Sequence, residues 1–229
     1  MKKTLIVVAG GRGERMGSDL PKQFLPLAGR PILMHTMDLF HRYDSKMSII
    51  LGLPDRFRDY WEDLCSSTGF AIPHIITPGG RTRFHTVKEA LECTHSRSLI
   101  AIHDSVRPLV SKDTIDSCFH QAGMTGAAIP CIDISESLRE IRHDRSISVD
   151  RTSYRLVQTP QVYKHDILVK SYQQDYDGSF TDDASVVEKA GYQVSIVKGN
   201  EENIKITAPG DIAYAESILE SFRKNSGLF

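Results

Sequence analysis

The densest chemistry in this 229-residue chain lies in a glycine-rich stretch, Ala9, Gly10, Gly11, Arg12, Gly13, Glu14, Arg15, Met16 and Gly17. It comes directly after an apolar run, Thr4 to Ala9. Glycines let the backbone approach a phosphate closely, and the N–H groups of such a loop form a concavity for anions. Two familiar versions are excluded by spacing. A P-loop needs Gly-Lys-Ser/Thr after the glycines, and the dinucleotide pattern needs a glycine where Met16 stands. What remains is a glycine loop with cations of its own, Arg12 and Arg15, followed by Pro21 and Lys22. A phosphate-binding loop is expected here rather than a plain strand-to-helix turn.

Such a loop must be held by a strand before it and a helix after it, and the rest of the chain repeats that alternation. Strands are expected over Thr4–Ala9, Met47–Leu53, Ile72–Thr77, Ser98–His103, Gly126–Cys131 and Gln193–Lys198. Helical spacing covers Pro31–Tyr43, Asp55–Ser67, Arg81–Thr94, Lys112–Ala122, Asp166–Asp175, Asp183–Ala190 and Asp211–Lys224. The strands are continuous apolar runs, as parallel strands covered on both faces should be. The fold class is therefore α/β: an open, mostly parallel, Rossmann-like sheet with helices on both faces. In such sheets ligands sit beyond the carboxyl ends of the strands, which marks the loops after Ala9, Thr77 and Ile102. One stretch breaks the alternation. Two polar strands, Ser137–Arg142 and Ile147–Arg151, flank a turn at His143–Ser146 and read as a projecting β-hairpin arm, about 133–153, on a single domain.

Composition removes several classes of function. Basic residues number 28 and acidic ones 29, so a net charge of −1 gives no broad footprint for nucleic acid or an anionic membrane. Any phosphate must meet a local cluster. With 40% hydrophobic and 25% charged residues the chain is of ordinary globular composition. The first apolar run is too short for a signal-peptide core or a membrane span, so a cytoplasmic protein is expected. Cys65, Cys93, Cys118 and Cys131 show no CxxC spacing and read as free thiols in a reducing compartment. The nine histidines lack HExxH or paired metal spacing, which argues against a structural zinc site.

The glycine loop followed by Pro21, Lys22, Gln23 and Phe24 resembles the signature of sugar-phosphate nucleotidyltransferases. More narrowly, it is similar to the 2-C-methyl-D-erythritol 4-phosphate cytidylyltransferase family of isoprenoid precursor synthesis. Further motifs occur in that family's order: Gly79–Val87, Ile102–Pro108, Val149–Arg151, Gln158–Gln161, Thr181–Ser185 and Asn203–Thr207. Each is weak alone; their ordered conjunction is specific.

The resemblance implies transfer of CMP from CTP to 2-C-methyl-D-erythritol 4-phosphate, a phosphorylated polyol, with release of pyrophosphate. An acceptor phosphate, with a second pKa of about 6, is already a dianion at neutral pH. No general base is then needed, and the task is charge neutralisation and alignment. By resemblance, Arg15 and Lys22 are the catalytic cations. CTP would be held by Ala9, Gly10, Gly11, Arg12, Gly13, Gly80, Arg83, Thr86 and Ser105. Asp104 would hold Mg²⁺ (another divalent cation is possible), which needs only one or two carboxylates because it keeps most of its waters. Arg107 would buttress the site. Ser137, Arg151, Thr181 and Lys205 would position the acceptor. Ser137 stands where a threonine is common in the family, and Arg81 where some members carry an acidic residue. The resemblance also implies a homodimer whose arms embrace. A pentitol-phosphate cytidylyltransferase and a non-catalytic nucleotide-binding module remain open as alternatives.

Overall fold

The run from Thr4 to Val7 has no polar face, so it must be covered on both sides. Leu5, Ile6 and Val7 are fully buried. The computed structural model describes residues 1–10 and 20–226, with side chains to Phe222. Its strands are β1 (Lys2–Val8), β2 (Pro26–Leu27), β3 (Arg30–Pro31), β4 (Ser48–Leu53), β5 (Ile75–Pro78), β6 (Ser98–Asp104), β7 (Ala127–Ile132), β8 (Leu138–Arg142), β9 (Arg145–Val149), β10 (Leu156–Val157), β11 (Gln161–Lys164) and β12 (Ser195–Lys198). Its helices are α1 (Ile32–Tyr43), α2 (Arg58–Thr68), α3 (Arg83–Leu91), α4 (Lys112–Thr125), α5 (His165–Ser171), α6 (Asp183–Lys189) and α7 (Pro209–Ser226).

Eight strands form one sheet in the order β10-β7-β11-β6-β1-β4-β5, with β12 also paired to β7. The pairs β1–β4, β1–β6, β4–β5 and β7–β12 are parallel. Alternation along each strand sorts side chains to two helical layers. Leu5, Val7, Leu51 and Ala101 pack with Leu33, Met37 and Phe40 of α1, Trp61 of α2 and Ile115 of α4. Ile6, Ile50, Ile100 and Ile102 pack on the other face with Phe84 and Val87 of α3, Leu168 of α5 and Val187 of α6. The register sets where the strands end relative to one another. Val8 lies opposite both Gly52 and Asp104, and Gly52 lies opposite Thr77, so one row crosses the carboxyl edge of four parallel strands. All three marked loops leave from that row.

The expected α/β fold stands, with local corrections. The chain has an antiparallel strand in mid-sheet: β11 is inserted between β6 and β7, and β10 lies antiparallel on β7. Neither was expected, because Gln158, Thr159, Pro160 and Gln161 split the apolar residues Leu156–Val157 from Val162–Tyr163. β5 begins at Ile75 rather than Ile72, and β12 at Ser195 rather than Gln193. The helix expected from Arg81 starts at Arg83 because Thr82 caps it, its hydroxyl accepting the His85 N–H. The helix expected to reach Asp175 stops at Ser171, whose carbonyl accepts the Gln174 side-chain amide instead of continuing the ladder. In the arm, Arg142 pairs with Arg145, so the turn is the two residues His143 and Asp144 rather than four, with His143 at φ +53°. β8 and β9 form a two-stranded sheet of their own.

Two glycines bring α3 against the sheet edge. A Cβ on Gly52 would stand 2.5 Å from the Thr86 methyl, and one on Gly80 only 2.3 Å from His85 Cβ. Gly80→Ala must therefore push the turn off the start of α3. It is expected to cost about 1–3 kcal/mol, the usual range for overpacking. The urea midpoint measures this; an unchanged midpoint would mean the close approach is not required.

Candidate active site

β6 ends on a buried carboxylate, and the site is built around it. Asp104 is held in place from behind: its N–H donates to Thr159 Oγ1 at 3.1 Å, and its neighbour Ser105 donates its N–H to Val8 O at 3.2 Å. Three cations surround its side chain. Lys205 Nζ lies 3.0 Å and Arg107 Nε 3.3 Å from Oδ2, while Arg83 Nε lies 3.7 Å from Oδ1. Burial alone would raise the Asp104 pKa, but Arg83, Lys205 and Arg107 outweigh it and hold the carboxyl well below the usual carboxylate range. Asp104 is ionised at any physiological pH.

Two of the three cations are fixed at a second point. Arg83 Nη1 donates to Asp183 Oδ1 at 2.6 Å, and this fully buried carboxylate at the start of α6 also accepts the Tyr172 hydroxyl at 2.6 Å. Burial works to lower the Arg83 pKa, yet Asp183 and Asp104 more than offset it, so Arg83 stays charged. Arg107 Nη1 donates to the Asn203 carbonyl at 2.7 Å, tying the segment that carries Lys205 to the end of β6. Ile206 N–H donates to Val106 O in the same clamp. Lys205 itself is 43% exposed at its side chain, the most accessible of the three partners.

Asp104, Arg83 and Lys205 line a pocket of about 170 Å³ at the carboxyl edge of the sheet, together with Gly10, Lys22, Gly80, Arg81, Thr86 and Ser105, while Arg107 and Asp183 stand behind its wall. Among the described residues its lining holds four cations, Lys22, Arg81, Arg83 and Lys205, against the single carboxylate of Asp104. A polyanion is the ligand such a balance suits. Residues from all three marked loops meet here. Thr86 does so partly through the backbone: its hydroxyl accepts the Gly80 N–H at 3.0 Å and donates to Thr82 O at 3.1 Å, shaping the glycine turn. Ala9 is buried beside the pocket, its carbonyl accepting the Gln23 side-chain amide at 2.8 Å.

The remaining expected residues lie elsewhere. Gly11, Arg12, Gly13 and Arg15 lie outside the described residues. Ser137, Arg151 and Thr181 are exposed and are not part of the pocket's lining. Arg151 opens a short 3-10 turn after β9 and donates to the Ser135 carbonyl, closing the base of the arm. Thr181 immediately precedes Asp182, which caps α6. Lys205 is thus grouped with the donor-side residues Gly80, Arg83 and Asp104 and apart from the other three acceptor residues.

One ionised carboxylate at the pocket wall suits a hydrated magnesium ion, which takes few protein ligands. The oxygen available for it is Oδ1, since both close cations fall on Oδ2. No cluster of three acidic, His or Cys side chains that could hold a metal occurs among the described residues.

The sequence profile of 2-C-methyl-D-erythritol 4-phosphate cytidylyltransferases matches residues 4–221. The chain belongs to this family. A Bacteroides fragilis protein of that name is 50% identical over 219 residues, covering 96% of this chain and all of the relative. A Bacillus licheniformis protein of the same name is 31% identical, covering 98% of this chain and 99% of its own. Crystal structures of the Thermus thermophilus and Francisella tularensis cytidylyltransferases superpose with TM-scores of 0.72 and 0.80, each at 26% identity. They cover 94% and 95% of this chain, and 98% and 99% of their own. No helix among the described residues is long and apolar enough to cross a membrane.

Within this cytidylyltransferase fold, two contributors were not assigned a role from sequence. Asp183 sits in the Thr181–Ser185 motif, where only Thr181 was assigned. His103 sits inside the Ile102–Pro108 motif and is fully buried behind Asp104. Its Nε2–H donates to Arg107 O at 2.9 Å, and its Nδ1 accepts the Thr159 hydroxyl at 3.0 Å, which fixes the neutral tautomer. Burial lowers its pKa from 6.5 to about 4. The unfolded chain therefore binds a proton as pH falls through 6.5, whereas the folded chain resists until about 4. Stability should fall across that window by on the order of 3 kcal/mol. Denaturant titrations from pH 7 to pH 4 should show this slope in the native chain, and His103→Gln should lose that share of it. Equal slopes in both would remove His103 as the cause. The Asp104 contribution, whose folded pKa is depressed, is lost only at still lower pH.

Proposed function

We propose that this chain transfers the cytidylyl group of CTP to 2-C-methyl-D-erythritol 4-phosphate and releases pyrophosphate. One observation carries the reading: four cations and one ionised carboxylate converge at the carboxyl edge of the sheet, in a chain that matches the family over residues 4–221. An oxygen of the acceptor phosphate attacks the α-phosphorus of CTP. The bond from that phosphorus to the bridging oxygen breaks, and pyrophosphate leaves with the electron pair. No proton need be removed from the attacking oxygen at neutral pH. The protein's work is to hold two polyanions together and to meet charge as it develops.

In this reading Arg15 and Lys22 stabilise charge around the α-phosphorus. Lys22 opens the short helical turn Lys22–Phe24, which supports a fixed approach to the pocket. Gly80 and the backbone around it take the nucleoside, and Ser105 lies alongside. Arg83 contributes charge from a fixed position. A magnesium ion, when bound, would neutralise triphosphate oxygens, with Asp104 as its protein ligand. Arg151, Thr181, Ser137 and Lys205 take the acceptor. The protein is proposed to work in the cytoplasm.

We also propose a homodimer formed through the arm. A two-stranded hairpin is marginal alone in water, yet Ile141 and Ile147 on the arm and Tyr154, Leu156 and Val157 just after it are 42–72% exposed. Ile141 lies opposite Ser146 and Ile147 opposite Glu140, so the two isoleucines face opposite sides of the ribbon; a second copy wrapped around the arm offers both a cover. The absence of Arg151 from the lining of its own chain's pocket supports a role for it in the neighbour's site.

The direct test is pyrophosphate release with CTP against a panel of phosphorylated polyols. Preference for a pentitol phosphate, or CTP binding without turnover, would overturn the assignment. Arg15→Ala and Lys22→Ala should each lower kcat by on the order of 10²–10³, with a smaller change in KM, because their charge is worth most in the transition state. A near-native kcat at saturation would remove the role. Arg151→Ala and Lys205→Ala should chiefly raise the acceptor KM. For the trans arm, Arg15→Ala and Arg151→Ala subunits are mixed and allowed to exchange, with activity read at an acceptor concentration well below the raised KM of Arg151→Ala, where each variant alone is nearly silent. Heterodimers then carry one intact site, and activity should recover to about a quarter of native. No recovery after demonstrated exchange would put both residues in one subunit's site.

A further inference from the structure

Asp104 is flanked by a guanidinium that does not quite reach it. Arg83 Nε stops 3.7 Å short of Oδ1, beyond hydrogen-bond distance, while its Nη1 is drawn to Asp183 Oδ1 at 2.6 Å. Asp183 lies 100 residues away in sequence, on the first turn of α6, and is fully buried. Tyr172 fixes that carboxylate by donating its hydroxyl to the same oxygen. Arg83 therefore sits between two carboxylates and is held by the farther one from the pocket.

We infer that Asp183 is a positioning residue: its charge keeps the Arg83 guanidinium off Oδ1 of Asp104 and so leaves that oxygen open to a divalent cation arriving with the nucleotide. This rests on the metal reading of Asp104 given above. A buried guanidinium without a counter-charge is strongly unfavourable. With Asp183 neutral, the one ion-pair partner left to Arg83 among the described residues is Asp104, and the oxygen facing Arg83 is Oδ1, because Oδ2 already holds Lys205 and Arg107. A shift of about 1 Å would close the gap to hydrogen-bond range. Arg83 also has a donor to spare: Nη2 is buried with no hydrogen-bond partner, as is the second oxygen of Asp183. The fork is thus under-satisfied and ready to take another acceptor. Removing the Asp183 charge would turn Arg83 from a neighbour of the metal-facing oxygen into its occupant.

The test reads metal binding rather than turnover. Mn²⁺ is titrated into the protein–CTP complex and bound manganese is followed by water-proton relaxation. Asp183→Asn should raise the half-saturating Mn²⁺ concentration by about tenfold, the lower end of what outer-shell changes cost. In an Arg83→Gln background, Asp183→Asn should leave the Mn²⁺ curve unmoved, since no guanidinium remains to cap Oδ1. A merely structural role for Asp183 gives the same shift in both backgrounds, and that result overturns the inference, as does no shift in the native background. Asp104→Asn separates the two readings: Mn²⁺ binding indifferent to it means that the metal assignment, not the role of Asp183, has failed. Should Asp183→Asn not fold, a crystal structure of the native protein with CTP and Mn²⁺ decides. Arg83 Nη1 is expected to remain on Asp183 with manganese on Oδ1; manganese on Oδ2, or Arg83 moved onto Oδ1, refutes the proposal.

Discussion

A single carboxylate, Asp104, buried at the end of a central strand, sets the terms for everything around it. An uncompensated charge there would be several kcal/mol too costly to keep, so cations must come to it: Arg83 from α3, Arg107 from the turn after β6 and Lys205 from the segment before α7. Those cations in turn repel one another. The charge of Arg83, for one, acts to lower the Arg107 pKa. Each therefore needs an anchor beyond Asp104, and for the two arginines the structure supplies one: Asp183 for Arg83 and the Asn203 carbonyl for Arg107. Replacing such a network with packed hydrophobic residues is often neutral or stabilising. Its presence is better explained by what it does for a ligand than by what it adds to the fold.

The sheet register makes the convergence possible. Val8, Gly52, Thr77 and Asp104 lie in one row, so loops scattered across about a hundred residues of sequence open onto one edge. Glycine at 52 and at 80 lets α3 come close enough for Thr86 to hold the turn from beneath. On the other side, β11 runs antiparallel between β6 and β7 and brings Thr159 behind Asp104, where its hydroxyl accepts the Asp104 N–H and donates to His103. The inserted strand thus serves the site as well as the sheet. It hydrogen-bonds the strand that carries the carboxylate along its edge.

What the sequence discloses depends on what is local. Continuous apolar runs revealed β1, β4 and β6, and helical spacing revealed α1 and α4, because the signal repeats within each element. The loops after the strands were readable because an open parallel sheet always presents them on one edge. β10 and β11 were not readable; the polar run Gln158–Gln161 with its proline separates their few apolar residues, and their place is set by partners elsewhere in the chain. Asp104 could be singled out by its position just past an apolar strand. Asp183 could not, although it is the closest charge to Arg83, because nothing in a Thr-Asp-Asp-Ala-Ser run says which carboxylate will be buried against an arginine a hundred residues earlier. Asp182 turns outward to cap α6 and hold Gln161, and Asp183 turns inward. One step of helix geometry separates the two roles.

The division between fixed and movable charge then distinguishes the three cations by function. Preorganised charge stabilises a transition state well because nothing has to reorient as the reaction proceeds. Arg83 and Arg107, each held at two points and largely buried, meet that condition. Lys205 does not. It sits on a flexible stem, is 43% exposed, and pairs with Asp104. Moving it costs one partly screened ion pair, whereas moving either arginine also strands a buried partner, Asp183 or the Asn203 carbonyl. Of the charges that neutralise Asp104, Lys205 is therefore the one that can yield its place when an incoming ligand brings charges of its own, while the arginines keep the carboxylate and the pocket wall in register.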